Sequence, residues 1–321
     1  MADSKTPRFV QTWYADGDAE RAAARAALLA SPASVAPKFF YDRLGSHLFE
    51  AITELPEYYP TRTEAAIFAG HGAAMAEAIG AGISLIDLGA GNCAKAARLF
   101  PLLEPSRYVA VDISVEFLRD ALRRLQREQP HIAMAGLGQD FSSALDIPAD
   151  LTGERPVFFY PGSSIGNFTA GEALAFLRRV RARASGGGLL IGVDLVKSKP
   201  VLEAAYDDSL GVTAAFNRNA LSHLNRLISS DFAPRQWRHV AFFDEAKSRI
   251  EMHLEAREAL RVSWPGGERR FAAGERIHTE NSCKYTIAEF RALLLEAGFD
   301  APRHWSDDQG WFAVFWASAQ R

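Results

Sequence analysis

Residues 83–100, ISLIDLGAGNCAKAARLF, decide the fold class. They form the pattern of a buried apolar strand, a glycine turn and a helix. Gly89-Ala90-Gly91-Asn92-Cys93-Ala94 matches G-x-G-x-x-G/A, in which the glycines let the backbone approach a ligand closely. Asp112 ends the next apolar strand, where a carboxylate can accept hydrogen bonds from both hydroxyls of a ribose. We predict that this turn binds an adenosine-type ligand; the alternative is a turn that serves only the fold.

Strands and helices continue to alternate after this turn. The apolar segments are RYVAVDI, HIAMAGL, PVFFYPG and GLLIGVDLV, with helices predicted over 94–104, 115–128 and 170–183. A further helix, TIAEFRALLLEAGF, and two paired strands close the chain. This order predicts an α/β fold, a mostly parallel, Rossmann-like sheet wrapped by helices.

Two other segments break the alternation. Residues 197–235 look helical, and short antiparallel strands follow up to residue 283. We therefore predict a Rossmann-like domain, 63–196 plus 284–321, and a second α+β substrate-binding unit, 1–62 plus 197–283. In the N-terminal segment, Thr61-x-x-Glu64 predicts a capping box that starts a helix running to about Ile79.

The composition limits the function classes. The chain has 321 residues with 36 basic and 39 acidic side chains, a net charge of −3, which disfavours a protein that mainly binds phosphate backbones. It shows neither a leader pattern nor an apolar window long enough to span a bilayer. Cys93 and Cys283 lie far apart without a metal-ligand pattern. We predict a cytoplasmic protein with no metal, no nucleic acid and no membrane partner.

The adenosine ligand has two candidates, because nicotinamide dinucleotides and S-adenosylmethionine both use this topology. Asp140 and Phe141 follow the third strand and offer an acidic acceptor and an aromatic face to an adenine ring. A final helix and paired strands, the last one antiparallel, are typical of proteins that bind S-adenosylmethionine. We therefore favour the methyl donor, although Asp140 also fits a turn and Phe141 a core position.

Gly162-Ser163-Ser164-Ile165-Gly166 offers a competing enzyme class. It fits the G-x-S-x-G elbow of a serine hydrolase, with Ser164 as the nucleophile. Such an elbow needs a helix that starts at the nucleophile, whereas Thr169-x-x-Glu172 is a capping box that starts the helix later. We interpret the stretch as a small-residue loop at the carboxyl end of the fourth strand, where ligands bind in such sheets.

Five stretches in order along almost the whole chain resemble one family. They are PKFFYDRLGSHLFEAITELPEYYPTRTEA, LIDLGAGNCAKAARL, PGSSIGNFT, DLVKSKPVLEAAYDDSLGVTAAFNRN and HTENSCKY. Together they resemble the histidine-specific Nα-methyltransferases of ergothioneine biosynthesis. The resemblance implies a class I S-adenosylmethionine-dependent methyltransferase that transfers three methyl groups to the α-amino group of free L-histidine, giving hercynine. A methyltransferase for another amino acid, such as tryptophan, is the alternative within the same fold. We expect a monomer.

The resemblance also implies the site residues. The positions that match the family's donor site are Tyr41, Gly89, Lys95, Asp112, Asp140 and Phe141. Those that match the site for the amino-acid end of the substrate are Tyr58, Asn167 and Tyr206; Glu280 and Ser282 match the imidazole site, and Met252 lines the side-chain pocket. Tyr58 and Asn167 are the expected catalytic residues, with the role of orienting the amine.

Elementary chemistry supports part of this assignment. Glu280 and Ser282 lie two residues apart in a predicted strand, so their side chains share one face. A carboxylate and a hydroxyl can each form a hydrogen bond with one ring nitrogen of histidine, whereas a substrate with an apolar side chain cannot form these bonds. The transfer is an in-line displacement by the amine lone pair, so the protein mainly has to align two bound molecules. Without the resemblance, Glu280 and Ser282 also fit a solvated edge strand, and Met252 a core position.

Overall fold

The computed structural model describes residues 6–11, 17–113, 115–142 and 144–320. Its strands in chain order are β1 (Arg8–Gln11), β2 (Ala33–Ser34), β3 (Ser84–Leu88), β4 (Arg107–Asp112), β5 (Ala133–Gly138), β6 (Pro156–Tyr160), β7 (Gly188–Asp194), β8 (Trp237–Asp244), β9 (Arg249–Ala256), β10 (Leu260–Trp264), β11 (Gly267–Phe271), β12 (Arg276–Cys283), β13 (Asp300–Ser306) and β14 (Phe312–Ser318). The helices are α1 (Gly17–Leu29), α2 (Arg43–Thr53), α3 (Tyr59–Ile79), α4 (Ala94–Leu103), α5 (Val115–Glu128), α6 (Ala149–Thr152), α7 (Ala170–Arg183), α8 (Lys199–Tyr206), α9 (Val212–Ile228) and α10 (Ile287–Glu296). Short 3₁₀ turns cover Pro37–Phe40, Ser164–Asn167 and Pro234–Gln236.

An eight-stranded sheet forms the larger core, in the order β1-β5-β4-β3-β6-β7-β14-β13. Its first six strands run parallel, while β14 is antiparallel to both β7 and β13. Every residue of β3, β6 and β7 is buried, as expected for central strands covered by helices on both faces. The predicted Rossmann-like α/β sheet with an antiparallel last strand is therefore confirmed.

A four-stranded sheet, in the order β2-β12-β9-β8, carries the second apolar cluster. Its inner face contributes Ile250, Met252 and Leu254 to a core shared with α8 and α9. Its outer face is polar: Glu255 accepts hydrogen bonds from Arg238 and Arg276 on the neighbouring strands, at 2.5 and 2.9 Å. The inner face is thus available to line a site, while the outer face carries charged side chains that pair with one another.

A β-bulge interrupts β12 between His278 and Glu280. His278 lies opposite His253, whereas Glu280 lies opposite Met252, so the extra residue Thr279 shifts the alternation of faces. The two histidine rings contact each other on the outer face, with centroids 5.1 Å apart. Glu280 and Met252 lie on the inner face.

The N-terminal segment differs from the sequence prediction in two places. The helix α3 begins at Tyr59, with Pro60 in its first turn, so the predicted Thr61–Glu64 capping box is wrong. The strand β1 pairs in parallel with β5 in the large sheet, although its residues were grouped with the second unit. The division into two units stays a proposal, and residues 1–5 and 12–16 of it lie outside the described ranges. No helix in the described ranges combines the length and the apolar character needed to cross a bilayer.

Candidate active site

A cavity lies between the loop that follows β6, the inner face of β9 and β12, and the helices α2, α8 and α9. Its walls are Tyr41, Phe49, Ile52, Tyr58, Gly162, Ser163, Ser164, Asn167, Ala205, Tyr206, Thr213, Phe216, Met252, Glu280 and Ser282. All the side chains predicted for the substrate are among them, together with Tyr41 from the predicted donor set. Residues from five separate parts of the sequence therefore converge on one space.

The loop after β6 approaches β12 closely because it contains Gly166. A Cβ atom placed on Gly166 would lie 2.9 Å from the carbonyl oxygen of Cys283 and 3.1 Å from its nitrogen, both backbone atoms that cannot turn aside. The next residue, Asn167, ends the 3₁₀ turn that packs against β12. The glycine therefore brings Asn167 into the same cavity as Glu280 and Ser282.

The ionisable groups in the cavity are buried. Burial raises the pKa of the Glu280 carboxyl to about 7, against the opposing effect of the nearby Lys284 ammonium. Burial, together with the charges of neighbouring groups, raises the pKa of the Tyr58 and Tyr206 phenols well above the ordinary value. Both phenols therefore stay protonated and can donate hydrogen bonds, whereas Glu280 titrates near neutral pH.

A buried hydrogen-bond network stands behind the cavity wall. The Lys284 ammonium, whose side chain is fully buried, lies 2.7 Å from an Asp194 carboxylate oxygen, 2.7 Å from Ser282 Oγ and 3.1 Å from the Tyr206 hydroxyl. The Tyr206 hydroxyl in turn donates to Ser282 Oγ at 2.7 Å. Lys284 was missed in the sequence, although its position two residues after Ser282 continues the same strand alternation.

Asp194, the last residue of β7, holds this network to the large sheet. Its carboxylate also accepts hydrogen bonds from the Tyr59 hydroxyl, at 2.7 and 2.9 Å, and from the Lys197 ammonium at 2.5 Å. Burial alone would raise the pKa of Asp194, but the two ammonium groups outweigh it and hold that pKa below its ordinary value. Burial lowers the pKa of Lys197 to about 8.

The glycine turn brings several residues of the predicted donor set together. Gly89 and Gly91 have φ angles of 73° and 53°, in the left-handed region that favours glycine. The Gly91 N–H donates to Asp112 Oδ2 at 2.9 Å, and the Phe141 ring lies 3.6 Å from a Cβ placed on Gly89. Asp140 accepts hydrogen bonds from the backbone and hydroxyl of Ser142, at 3.1 and 2.5 Å, so it also organises its own turn.

One buried carboxylate connects the glycine-turn side to the cavity. Glu64, 1% exposed, accepts hydrogen bonds from the Lys95 ammonium and from the Gly162 N–H, both at 2.7 Å. Lys95 belongs to the predicted donor set, and Gly162 lines the cavity. The two predicted sites therefore adjoin each other. Sequence reasoning missed this role of Glu64 because the local pattern suggested a helix cap.

Ser164 lacks the surroundings of a hydrolase nucleophile. Its hydroxyl lies 3.4 Å from the carbonyl oxygen of Pro161, and no histidine hydrogen bond within the described ranges reaches it. The helix α7 starts only at Ala170, with Thr169 and Glu172 forming the predicted capping box. The elbow hypothesis therefore finds no support in the geometry.

Comparison with known proteins assigns the chain to a family. A family model described as histidine-specific methyltransferase, SAM-dependent, matches residues 20–319. The chain belongs to this methyltransferase family. The histidine N-alpha-methyltransferases of Mycolicibacterium smegmatis and Mycobacterium tuberculosis are 42% and 40% identical to it, covering 94% and 88% of this chain and 95% and 90% of the relatives. Ergothioneine biosynthesis protein 1 of Neurospora crassa is 30% identical over 86% of this chain and 32% of its own length.

This methyltransferase is an enzyme that uses S-adenosylmethionine, in agreement with the prediction. The residues at the glycine turn fit such a ligand, because nothing lies within 4 Å of a Cβ placed on Gly91. The Asp112 carboxylate lies beside this open backbone and can receive ribose hydroxyls, and the Phe141 ring, which lies next to Gly89, can receive a base.

Proposed function

We propose that this methyltransferase transfers three methyl groups from S-adenosylmethionine to the α-amino group of free L-histidine, giving hercynine for ergothioneine biosynthesis. The observation that carries the proposal is the convergence of Glu280 and Ser282 with Tyr58, Asn167 and Tyr206 on one cavity. The names of the relatives, histidine N-alpha-methyltransferase and ergothioneine biosynthesis protein, support the same substrate.

The substrate roles are those that the family resemblance implies, and the chemistry of the cavity wall supports them. Glu280 accepts a hydrogen bond from one imidazole nitrogen and Ser282 bonds the other, while Met252 packs against the ring. Tyr206 binds the amino-acid end of histidine. Tyr58 and Asn167 orient the α-amine, and the raised pKa of the Tyr58 phenol supports a donor role for it over that of a base.

The residues that bind the methyl donor lie on the glycine-turn side of Glu64. Gly89 and Asp112 hold the nucleoside part of S-adenosylmethionine, with Asp140 and Phe141 beside the adenine. Lys95 donates one hydrogen bond to Glu64, and its remaining N–H groups can bind the carboxylate of S-adenosylmethionine. Tyr41 reaches the donor from the cavity side. We further propose that the enzyme acts as a monomer.

The reaction requires alignment more than side-chain chemistry. S-adenosylmethionine supplies an electrophilic methyl group, and the neutral α-amine of histidine supplies the lone pair. The protein residues hold the amine in line and keep bulk water out of the cavity. The α-amine, with an ordinary pKa of about 8 at a peptide terminus and higher in a free amino acid, has to lose a proton before each transfer.

The direct test is mass spectrometry of L-histidine incubated with the protein and S-adenosylmethionine. We expect products carrying one, two and three additional methyl groups, with the last accumulating. Tryptophan and other free amino acids are the parallel substrates, and Glu280→Ala is the matched variant, in which histidine turnover drops. Preferential methylation of tryptophan by the parent protein would reject the assignment of histidine and of Glu280.

A further inference from the structure

The buried Lys284 ammonium has no part in the reaction described above, yet it contacts two cavity-lining hydroxyls. Its three N–H donors have three acceptors: Asp194, Ser282 Oγ and the Tyr206 hydroxyl. An ammonium group only donates, so both hydroxyl oxygens have to accept from it. The ammonium also lies 4.8 Å from the centre of the Tyr206 ring, which fixes that ring against the network.

This contact determines which protons are left for a ligand. The Tyr206 hydroxyl donates to Ser282 Oγ at 2.7 Å, as expected because a phenol is a better donor than an aliphatic alcohol. Ser282 Oγ then accepts from both Tyr206 and Lys284, which uses its two lone pairs. The remaining capacity of Ser282 is its own O–H, which can only donate.

We propose that Lys284 is a specificity-determining positioning residue, which fixes Ser282 as a hydrogen-bond donor. Lys284 thereby selects a neutral imidazole whose unprotonated nitrogen faces Ser282. The inference rests on the proposed function, since it concerns the ring of the histidine substrate. Glu280, two residues earlier on the same strand face, then accepts from the ring N–H. A neutral imidazole has one donor and one acceptor, and this wall presents one acceptor and one donor.

The experiment compares histidine with its pyrrol-2-yl and pyrrol-3-yl analogues, which keep one ring N–H and replace the other nitrogen by carbon. The parent enzyme should prefer histidine in kcat/KM by about tenfold to a hundredfold, because a pyrrole leaves the Ser282 O–H without an acceptor. In Lys284→Met, the Ser282 hydroxyl can turn towards Tyr206, so this preference should fall to within about threefold while the affinity for S-adenosylmethionine is unchanged.

Lys197→Met is the matched control. Lys197 is also buried and pairs with Asp194, but its other hydrogen bonds go to Tyr59 and to the Leu195 carbonyl. This variant should lose thermal stability and keep the preference for histidine. Ser282→Ala should lose the preference, and adding Lys284→Met to it should change the preference no further, because the lysine acts through that hydroxyl.

Each outcome decides the inference. A Lys284→Met enzyme that keeps the parent's preference, or a Lys197→Met enzyme that loses it equally, shows that Lys284 only stabilises the fold. If Lys284→Met does not fold, Lys284→Arg replaces it: the charge stays beside Asp194, but a planar guanidinium cannot reach all three acceptors, so the preference should still fall. A parent enzyme that does not methylate histidine refutes the proposed function and the inference with it, whereas an active parent with an unchanged lysine variant refutes the inference alone.

Discussion

Replacing Glu280 by glutamine should make the ligand-free enzyme more stable and a poorer binder of histidine. Burial raises the pKa of this carboxyl from 4.5 to about 7 in the folded protein. Between those values the unfolded chain binds fewer protons than the folded one, so this group lowers stability as the pH rises. Ionisation of Glu280 therefore lowers the free energy of unfolding by about 3 kcal/mol at pH 8 and by less than about 1 kcal/mol at pH 5.

Glu280→Gln removes this cost because its amide does not ionise. For a chain of 321 residues, about 3 kcal/mol corresponds to a rise in Tm of about 5 °C at pH 8, with little change at pH 5. Thermal melts of both proteins at the two pH values measure the difference, and calorimetry with histidine measures the accompanying loss of affinity. An equal Tm for both proteins at pH 8 would refute the argument from burial.

Glu251→Gln is the control with the opposite sign. Burial opposes ionisation of Glu251, but hydrogen bonds from Arg249, His253 and Lys247 outweigh it and lower its pKa to about 2. A carboxylate with a lowered pKa stabilises the folded state above pH 4.5, and this contribution is lost as the pH falls towards 2. Glu251→Gln should therefore lower the Tm at pH 8.

Three further substitutions test other parts of the site. Gly166→Ala should lower the free energy of unfolding by about 1–3 kcal/mol and reduce kcat/KM for histidine, because the added Cβ would meet the backbone of Cys283. Gly171→Ala on α7 is the control, because nothing lies within 4 Å of its Cβ, and it should lower neither quantity. Equal losses of stability for the two variants in urea unfolding would contradict this prediction. Asp112→Ala should weaken S-adenosylmethionine binding by about tenfold or more and leave histidine binding unchanged in calorimetry; full donor affinity would contradict the assignment. Ser164→Ala should keep methyl transfer, and the parent should cleave no ester in a nitrophenyl acetate assay; ester cleavage lost in the variant would revive the hydrolase hypothesis.

Local sequence patterns predicted most of the secondary structure. The helices α5 and α7 have the predicted bounds, 115–128 and 170–183, because amphipathic spacing and caps are encoded within a few residues of each other. The strand β1 was missed because four residues, RFVQ, are too few to carry a periodic signal. Its pairing with β5 is a contact between distant segments, which no local window contains.

The same distinction applies to the site. The motifs around Asn167, Tyr206 and Glu280 resemble a known family and therefore led to the cavity. Glu64 and Lys284 did not stand out, because partners of both lie far along the chain: the local pattern around Glu64 predicts a helix cap, and no local pattern marks Lys284. Buried charges that connect two sheets are recognisable only once the strands are placed side by side.

The bulge at Thr279 has a consequence for comparing this enzyme with its relatives. It is a single-residue phase change: upstream of it the even-numbered position 278 faces outward, and downstream of it positions 280 and 282 line the cavity. A relative that lacks Thr279 would return to regular alternation and present the same side chains to the cavity, whereas a relative that keeps every residue but pairs without the bulge would present the opposite set. Alignments used to infer substrate range in this family should therefore place any gap at this position before they compare the residues that follow it.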